Sequence, residues 1–167
     1  MNTLSLTALA VAQSQIGVSE KPPGSNKGPE VNAYLKAVGL GPGFSWCAAF
    51  LYWCFAKAAT QKETKNPLIK TAGVMDHWNR AAPAVKISAT QVRSGKATVR
   101  PGMIGILLLD PHTGAGHTFI VESEQDGWLT TIEGNSNNGG SREGIGVFRL
   151  KRRKLSDKIL VGFLDYQ

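Results

Sequence analysis

From about residue 84 onward the chain changes period, and that change constrains its fold more than any other feature. Before it, apolar residues recur at helical spacing. After it they come in short extended runs: "AVKISATQV", "MIGILLLD", "HTFIVESE", "GWLTTIEGN", "GVFRLKRR" and "KILVGFLDY". Turn signals separate the runs, among them "RPG", "DPHTGAG", "QDG" and "NSNNGGSREG". Helices followed by antiparallel strands make an α+β plan, with N-terminal helices packed on one face of a C-terminal antiparallel sheet. A length of 167 residues predicts a single domain, residues 1–167, able to bury a core without covalent staples.

Four helices are expected in the first half. Leu6, Leu9, Ala10, Ala12 and Ile16 form a helical stripe near the N-terminus. That segment has too short an apolar part for a signal peptide, no preceding Lys or Arg, and Ala-x-Ala sites that fall too early. Val31, Tyr34, Leu35 and Val38 mark a second helix, stopped at Gly39. The turn "GPGFS" precedes a third helix from about Trp46, with Ser45 as its N-cap, and "GVMDHWNRAA" reads as a short fourth. No run of about 18 apolar residues exists, so no transmembrane helix is expected.

Both cysteines, Cys47 and Cys54, fall on the third helix. Seven residues at roughly 1.5 Å each place them about 10.5 Å apart along the axis. A disulfide needs Cα atoms within about 4.4–6.8 Å, so the two are not bridged. They cannot share a metal either, and no Cys-x-x-Cys or His-x-x-x-His motif accompanies them. Cys54, among Leu51, Trp53 and Phe55, is expected in the core. Cys47 lies in the first helical turn, where free N–H groups and the helix dipole attract negative charge, as suits a thiol nucleophile. On position alone a buried, inert thiol is the more common outcome. A nucleophile needs a base.

Of the three histidines, His77 is expected on a surface helix and His112 in a solvated turn. His117 opens an apolar strand, a good station for a general base. The next strand ends "TIEGNSN", with Glu133 and Asn135 two apart and on one sheet face. Their relation to His117 depends on the "QDG" turn. A two-residue Asp-Gly turn sets His117 opposite Ser136 and turns Glu133 and Asn135 to the other face. A three-residue loop, or an equivalent bulge, sets His117 opposite Asn135 with Glu133 one diagonal step away. Only the second register assembles a thiol, an imidazole and an orienting carboxylate or amide.

The formal charge is +7. It suits an anionic wall polymer, a nucleic acid or simple solubility. The basic residues are scattered except for "RLKRRK", Arg149 to Lys154, which reads as a solvated strand edge. No nucleic-acid-binding motif accompanies the charge, and no nucleic-acid partner is expected.

The stretches "SWCAAFLYWC", "GAGHTFIVES" and "TIEGNSNNGGSREGIGVFRLKRR" closely resemble the CHAP family, the cysteine- and histidine-dependent amidohydrolases/peptidases. "AVAQSQIGVSEKPPGSNKGPEVNAYLKAVGL" looks like the helical lead-in of single-domain members. The resemblance implies a papain-like (CHAP/NlpC-type) fold and cleavage of peptidoglycan, by an endopeptidase or an N-acetylmuramoyl-L-alanine amidase. It implies Cys47 as nucleophile, His117 as base, Glu133 as orienting carboxylate and Asn135 as an assisting amide, with no cofactor. Two departures stand out. Gly102-Met103-Ile104 replaces the Gly-Asp-Ile/Val of many members, and no acidic cluster precedes Cys47, so no calcium or other metal site is expected. The expected partner is peptidoglycan, with an immunity or inhibitor protein if the chain is a secreted toxin, and a monomer is expected. Lacking a signal peptide, such a chain would be made in the cytoplasm and reach the wall after holin- or secretion-system-dependent release, as a phage endolysin or a toxin does. A non-catalytic wall-binding module and a basic nucleic-acid-binding protein are the competing readings.

Overall fold

The computed structural model describes residues 3–139 and 144–167. The tip of the turn "NSNNGGSREG", residues 140–143, lies outside the described residues. Four helices come first: α1 (Leu4–Ser14), α2 (Pro29–Ala37), α3 (Cys47–Gln61) and α4 (Val74–Arg80). A short strand β1 (Lys86–Ser88) and helix α5 (Ala89–Arg93) follow, then β2 (Ile104–Asp110), β3 (Ala115–Gln125), β4 (Trp128–Ser136), β5 (Gly146–Lys154) and β6 (Leu160–Leu164). The strands form one antiparallel sheet in the order β1-β6-β2-β3-β4-β5, so the α+β plan read from the periods is the one observed. Among the described residues no helix is long and apolar enough to cross a membrane.

The two sheet faces bury separate cores. Ile104, Ile106, Ile120, Ile132 and Leu164 pack against α1–α4, where Tyr34, Trp46, Phe50 and Phe55 are fully buried. Leu107, Phe119, Val121, Leu129 and Phe163 pack on the other face against Ala89 and Val92 of α5. Met103 joins this second core, 2% exposed. The run "AVKISATQV" is therefore not one strand. Ser88 caps α5 in a reciprocal pair with Gln91, and that capping box ends the strand after three residues.

Several elements begin or end as their capping residues dictate. Thr3 accepts the Leu6 N–H to open α1, whose buried stripe is Ser5, Ala8, Leu9 and Ala12; Ile16 lies past its end and is exposed. Pro29 opens α2, whose Val31, Tyr34 and Leu35 are buried. Tyr34 then packs its ring 5.6 Å from Trp46, 5.2 Å from Phe50 and 5.0 Å from Trp53, and its hydroxyl donates to Gln15. This aromatic cluster fixes the start of α3 against α2, and the start of α3 is where Cys47 stands.

Candidate active site

Helix α3 opens without a side-chain cap. Its N-cap is Trp46, not Ser45, and Cys47 is the first helical residue. The first ladder bond runs from Phe50 N–H to Trp46 O, so the amides of Cys47, Ala48 and Ala49 have no partner within the helix. Trp46 is held from beneath. The buried Glu20 accepts its indole N–H at 2.8 Å through Oε1 and the Asn26 amide at 3.0 Å through Oε2. Cys47 is 6% exposed, Cys54 fully buried, and neither thiol is in a disulfide. Burial pushes the Cys54 thiol well above the ordinary cysteine range, which keeps it protonated and inert.

Two demands conflict in the β3–β4 hairpin. The turn is the two-residue Asp126-Gly127 kind, both residues in the left-handed region at φ 53° and 79°, and it pairs Gln125 with Trp128 and Glu124 with Leu129. Continued unbroken, that register would set Ile120 opposite Glu133, mixing core and polar faces. A bulge at Glu122 inserts one residue, after which Val121 pairs with Thr131 and Ile120 with Ile132. Extended along the strands, the corrected register brings His117 level with Asn135 and one diagonal step from Glu133. The turn is thus shorter than the three-residue loop, and the equivalent bulge does the work.

His117 and Glu133 meet at 2.8 Å, with the imidazole Nε2–H donating to Oε2. The His117 side chain is 11% exposed and that of Glu133 not at all. The Cys47 thiol acts on the same ring electrostatically, and with Nε2 taken by Glu133 the nitrogen left for the thiol is Nδ1. Burial alone would lower the imidazole. Its interactions with Cys47 and Glu133 outweigh burial and push it up to about 9. Burial likewise opposes charge on Glu133, but His117 and Arg153 hold the carboxyl well below the usual carboxylate range. A thiol, a proton acceptor and an ionised orienting carboxylate thus stand in one row, with unpaired helix-start amides beside the thiol.

Asn135 and the other two histidines make different contacts. Asn135 is half-buried at φ 52°, a left-handed conformation that breaks strand alternation and turns Ser136 toward Glu133. Among the described residues Asn135 makes no hydrogen bond to His117. His112 is exposed in its turn. His77 is not a surface residue: it is 4% exposed, stacks on Tyr166 and shares a 3.0 Å hydrogen bond with that hydroxyl, and burial lowers it to about 4.

Arg152 and Arg153 were not legible as site residues. All of "RLKRRK" lies on the edge strand β5, where Arg149 pairs with Glu122. Arg153 instead grips Glu133, and Arg152 donates to Asn137 O and Ser136 Oγ. One signal could have found them. A carboxylate destined for burial needs a cation, and the densest basic run follows it on the next strand.

The glycine of "EGN" admits no side chain. A Cβ on Gly134 would stand 2.6–2.8 Å from the Phe50 ring and Cβ, atoms that cannot swing aside. Gly134→Ala must push β4 off the start of α3, at a cost of about 1–3 kcal/mol. The expected result is a lower unfolding midpoint together with a loss of any activity that needs Cys47 near His117, read by thermal melts and turnover on the same sample.

A comparison with protein families matches residues 39–135 to the CHAP domain. The matched span runs from the end of α2 to Asn135 and includes Cys47, His117 and Glu133. No curated protein and no solved structure matches the chain.

Proposed function

Because the chain belongs to the CHAP domain family, whose members are generally cysteine- and histidine-dependent amidohydrolases, we propose that it is a peptidoglycan hydrolase using the Cys47 thiol as nucleophile. One observation carries the reading: a helix start and two strands bring Cys47, His117 and Glu133 together, with Glu133 hydrogen-bonded to one ring nitrogen of His117 and the other left to the thiol.

In the proposed reaction the thiol proton passes to His117 Nδ1 before attack, and Sγ, as the thiolate of that ion pair, attacks the carbonyl carbon of the scissile amide. The oxyanion that forms is met by amides at the start of α3, the backbone N–H of Cys47 among them. The imidazolium, steadied by Glu133, passes its proton to the departing nitrogen as the C–N bond breaks, leaving a thioester on Cys47. Water then gives a proton to His117 and attacks the thioester, and the thiolate leaves. Net charge +7 suits a polymer that carries carboxylates or phosphates, and the proposed site of action is the cell wall.

The direct test is to digest purified peptidoglycan with wild-type protein and Cys47→Ala and weigh the products. Release of wall fragments by the wild type alone supports the reading. Equal release by both proteins, or by neither, overturns it. Free glycan strands with intact stem peptides identify an amidase; shortened stems or cut cross-bridges identify an endopeptidase.

The acid–base roles also predict a pH profile. His117 must be protonated to serve the leaving nitrogen, so kcat/KM should fall as pH rises through about 9. Glu133→Gln removes a group that raises the imidazole, and the same limb should then move to lower pH. An alkaline limb that stays in place in this variant would contradict the assignment of Glu133.

A further inference from the structure

A fully buried carboxylate must have its lone pairs filled, and the donors around Glu133 are unequal in quality. Oε1 accepts from Thr131 Oγ1 at 2.8 Å and from Arg153 Nε at 2.9 Å. Oε2 accepts from His117 Nε2 at 2.8 Å, from Arg153 Nη2 at 2.7 Å and from Ser136 Oγ at 3.2 Å. The Thr131 hydroxyl has an alternative acceptor in Leu150 O at 3.3 Å, and Ser136 Oγ also receives Arg152 Nη2. Among the described residues Arg153 alone contacts both oxygens, through the fork that suits carboxylate geometry. Its side chain is 17% exposed.

A second irregularity of the sheet puts it there. Leu150 pairs with Thr131 and shares its face; simple alternation would then point Arg152 at Glu133 and Arg153 away. A bulge at Arg152 shifts the register, so that Arg153 pairs with Leu129 and takes the Glu133 face. Arg153 also lies outside the 39–135 span shared with the family.

We propose that Arg153 is a positioning residue for the Cys47–His117 pair: its two-point grip on Glu133 fixes the carboxylate so that Oε2 receives the imidazole Nε2–H and Nδ1 is left to the thiol. The inference rests on the proposed cysteine mechanism for its kinetic consequence, but the grip itself is a property of the fold. Among the described residues the charged and titratable groups facing Glu133 are His117 from β3, Arg152 and Arg153 from β5 and, through His117, Cys47 from α3. Without Arg153 the described partners of the carboxylate are shared hydroxyls, the imidazole and the more distant Arg152, 3.8 Å from Oε2 and bonded elsewhere. It is then free to rotate or to take up a proton.

The test is a double-mutant cycle on peptidoglycan hydrolysis across pH, using wild type, Arg153→Gln, Glu133→Gln and the double variant, with His117 ring resonances followed by NMR in the same proteins. Arg153→Gln should lower kcat/KM by about 10- to 100-fold, the range for groups that hold a catalytic ligand in place. It should also let Glu133 take up a proton at higher pH, so that an acid limb due to Glu133 lies at higher pH than in the wild type. In the Glu133→Gln background the same change should cost nothing further. An equal loss in both backgrounds overturns the proposal, because Arg153 would then act through the fold at large and not through Glu133.

Arg153→Lys keeps the charge, and with it a folded protein if Arg153→Gln does not fold, but offers one contact point in place of two. It should show a reduced rate with a smaller movement of the acid limb, and a wild-type rate would sink the two-point grip. The NMR arm separates this inference from the mechanism it rests on. If Cys47→Ala still hydrolyses the wall, the mechanism falls. Ring titration curves that are identical with Arg153 and without it overturn the positioning role whatever the enzyme does.

Discussion

Cys47→Ala and His117→Ala will each lower hydrolysis by at least about 10⁴-fold, and the double variant will be no slower than either one. The two side chains perform one proton transfer. Without the imidazole, the thiol has no base at its side and the leaving nitrogen no acid; without the thiol, the imidazole has nothing to activate. Multiplying losses would show that the residues act independently and would refute the row of Cys47, His117 and Glu133 as a functional unit. Cys54→Ala is the contrasting case. Its thiol is buried and inert, so the variant should lose stability through a core cavity and keep its kcat once folded. Turnover per folded molecule, with the folded fraction taken from circular dichroism, distinguishes the two cysteines.

Glu133→Ala should be the most destabilising single change in the site, at about 3–5 kcal/mol near neutral pH. It leaves the Arg153 guanidinium, which is mostly buried, and the His117 imidazolium facing an empty space without their counter-charge. The sign of the pH dependence follows from the direction of each shift. Glu133 is held below its ordinary 4.5, so its contribution is complete above that pH and fades as pH falls beneath it. His117 is raised from 6.5 to about 9, so its contribution is complete below 6.5 and fades as pH rises through 9. The difference in unfolding free energy between wild type and Glu133→Ala should therefore be widest between these limits. It should narrow on the acid side and, in part, on the alkaline side. Denaturant melts at about pH 4, 6 and 10 test this, and a difference that does not change with pH would mean that Glu133 is not the buried ion described here.

The order of elements was legible because it depends on neighbours in the chain. Apolar spacing in "EVNAYLKAVGL" and alternation in "HTFIVESE" report which face a residue must bury, and Asp-Gly and Pro-Gly pairs report where the chain reverses. The position of Cys47 in the first turn of a helix was legible for the same reason, as was the impossibility of a Cys47–Cys54 bridge. The capping box of Ser88 and Gln91 is equally local, within a run whose alternation reads as extended.

The assembly of the site was decided only by the tertiary structure. The Asp126-Gly127 turn specifies one register and the burial of Ile120 against Ile132 another, and neither signal alone shows that a bulge at Glu122 will satisfy both. A second bulge at Arg152 chooses which arginine of "RLKRRK" reaches Glu133. His77, polar on paper, is buried because Tyr166, 89 residues away, closes over it. Helix and strand follow from local periodicity. Register, and the partners a buried charge finds, depend on hydrogen bonds and packing between strands that meet only once the chain has folded.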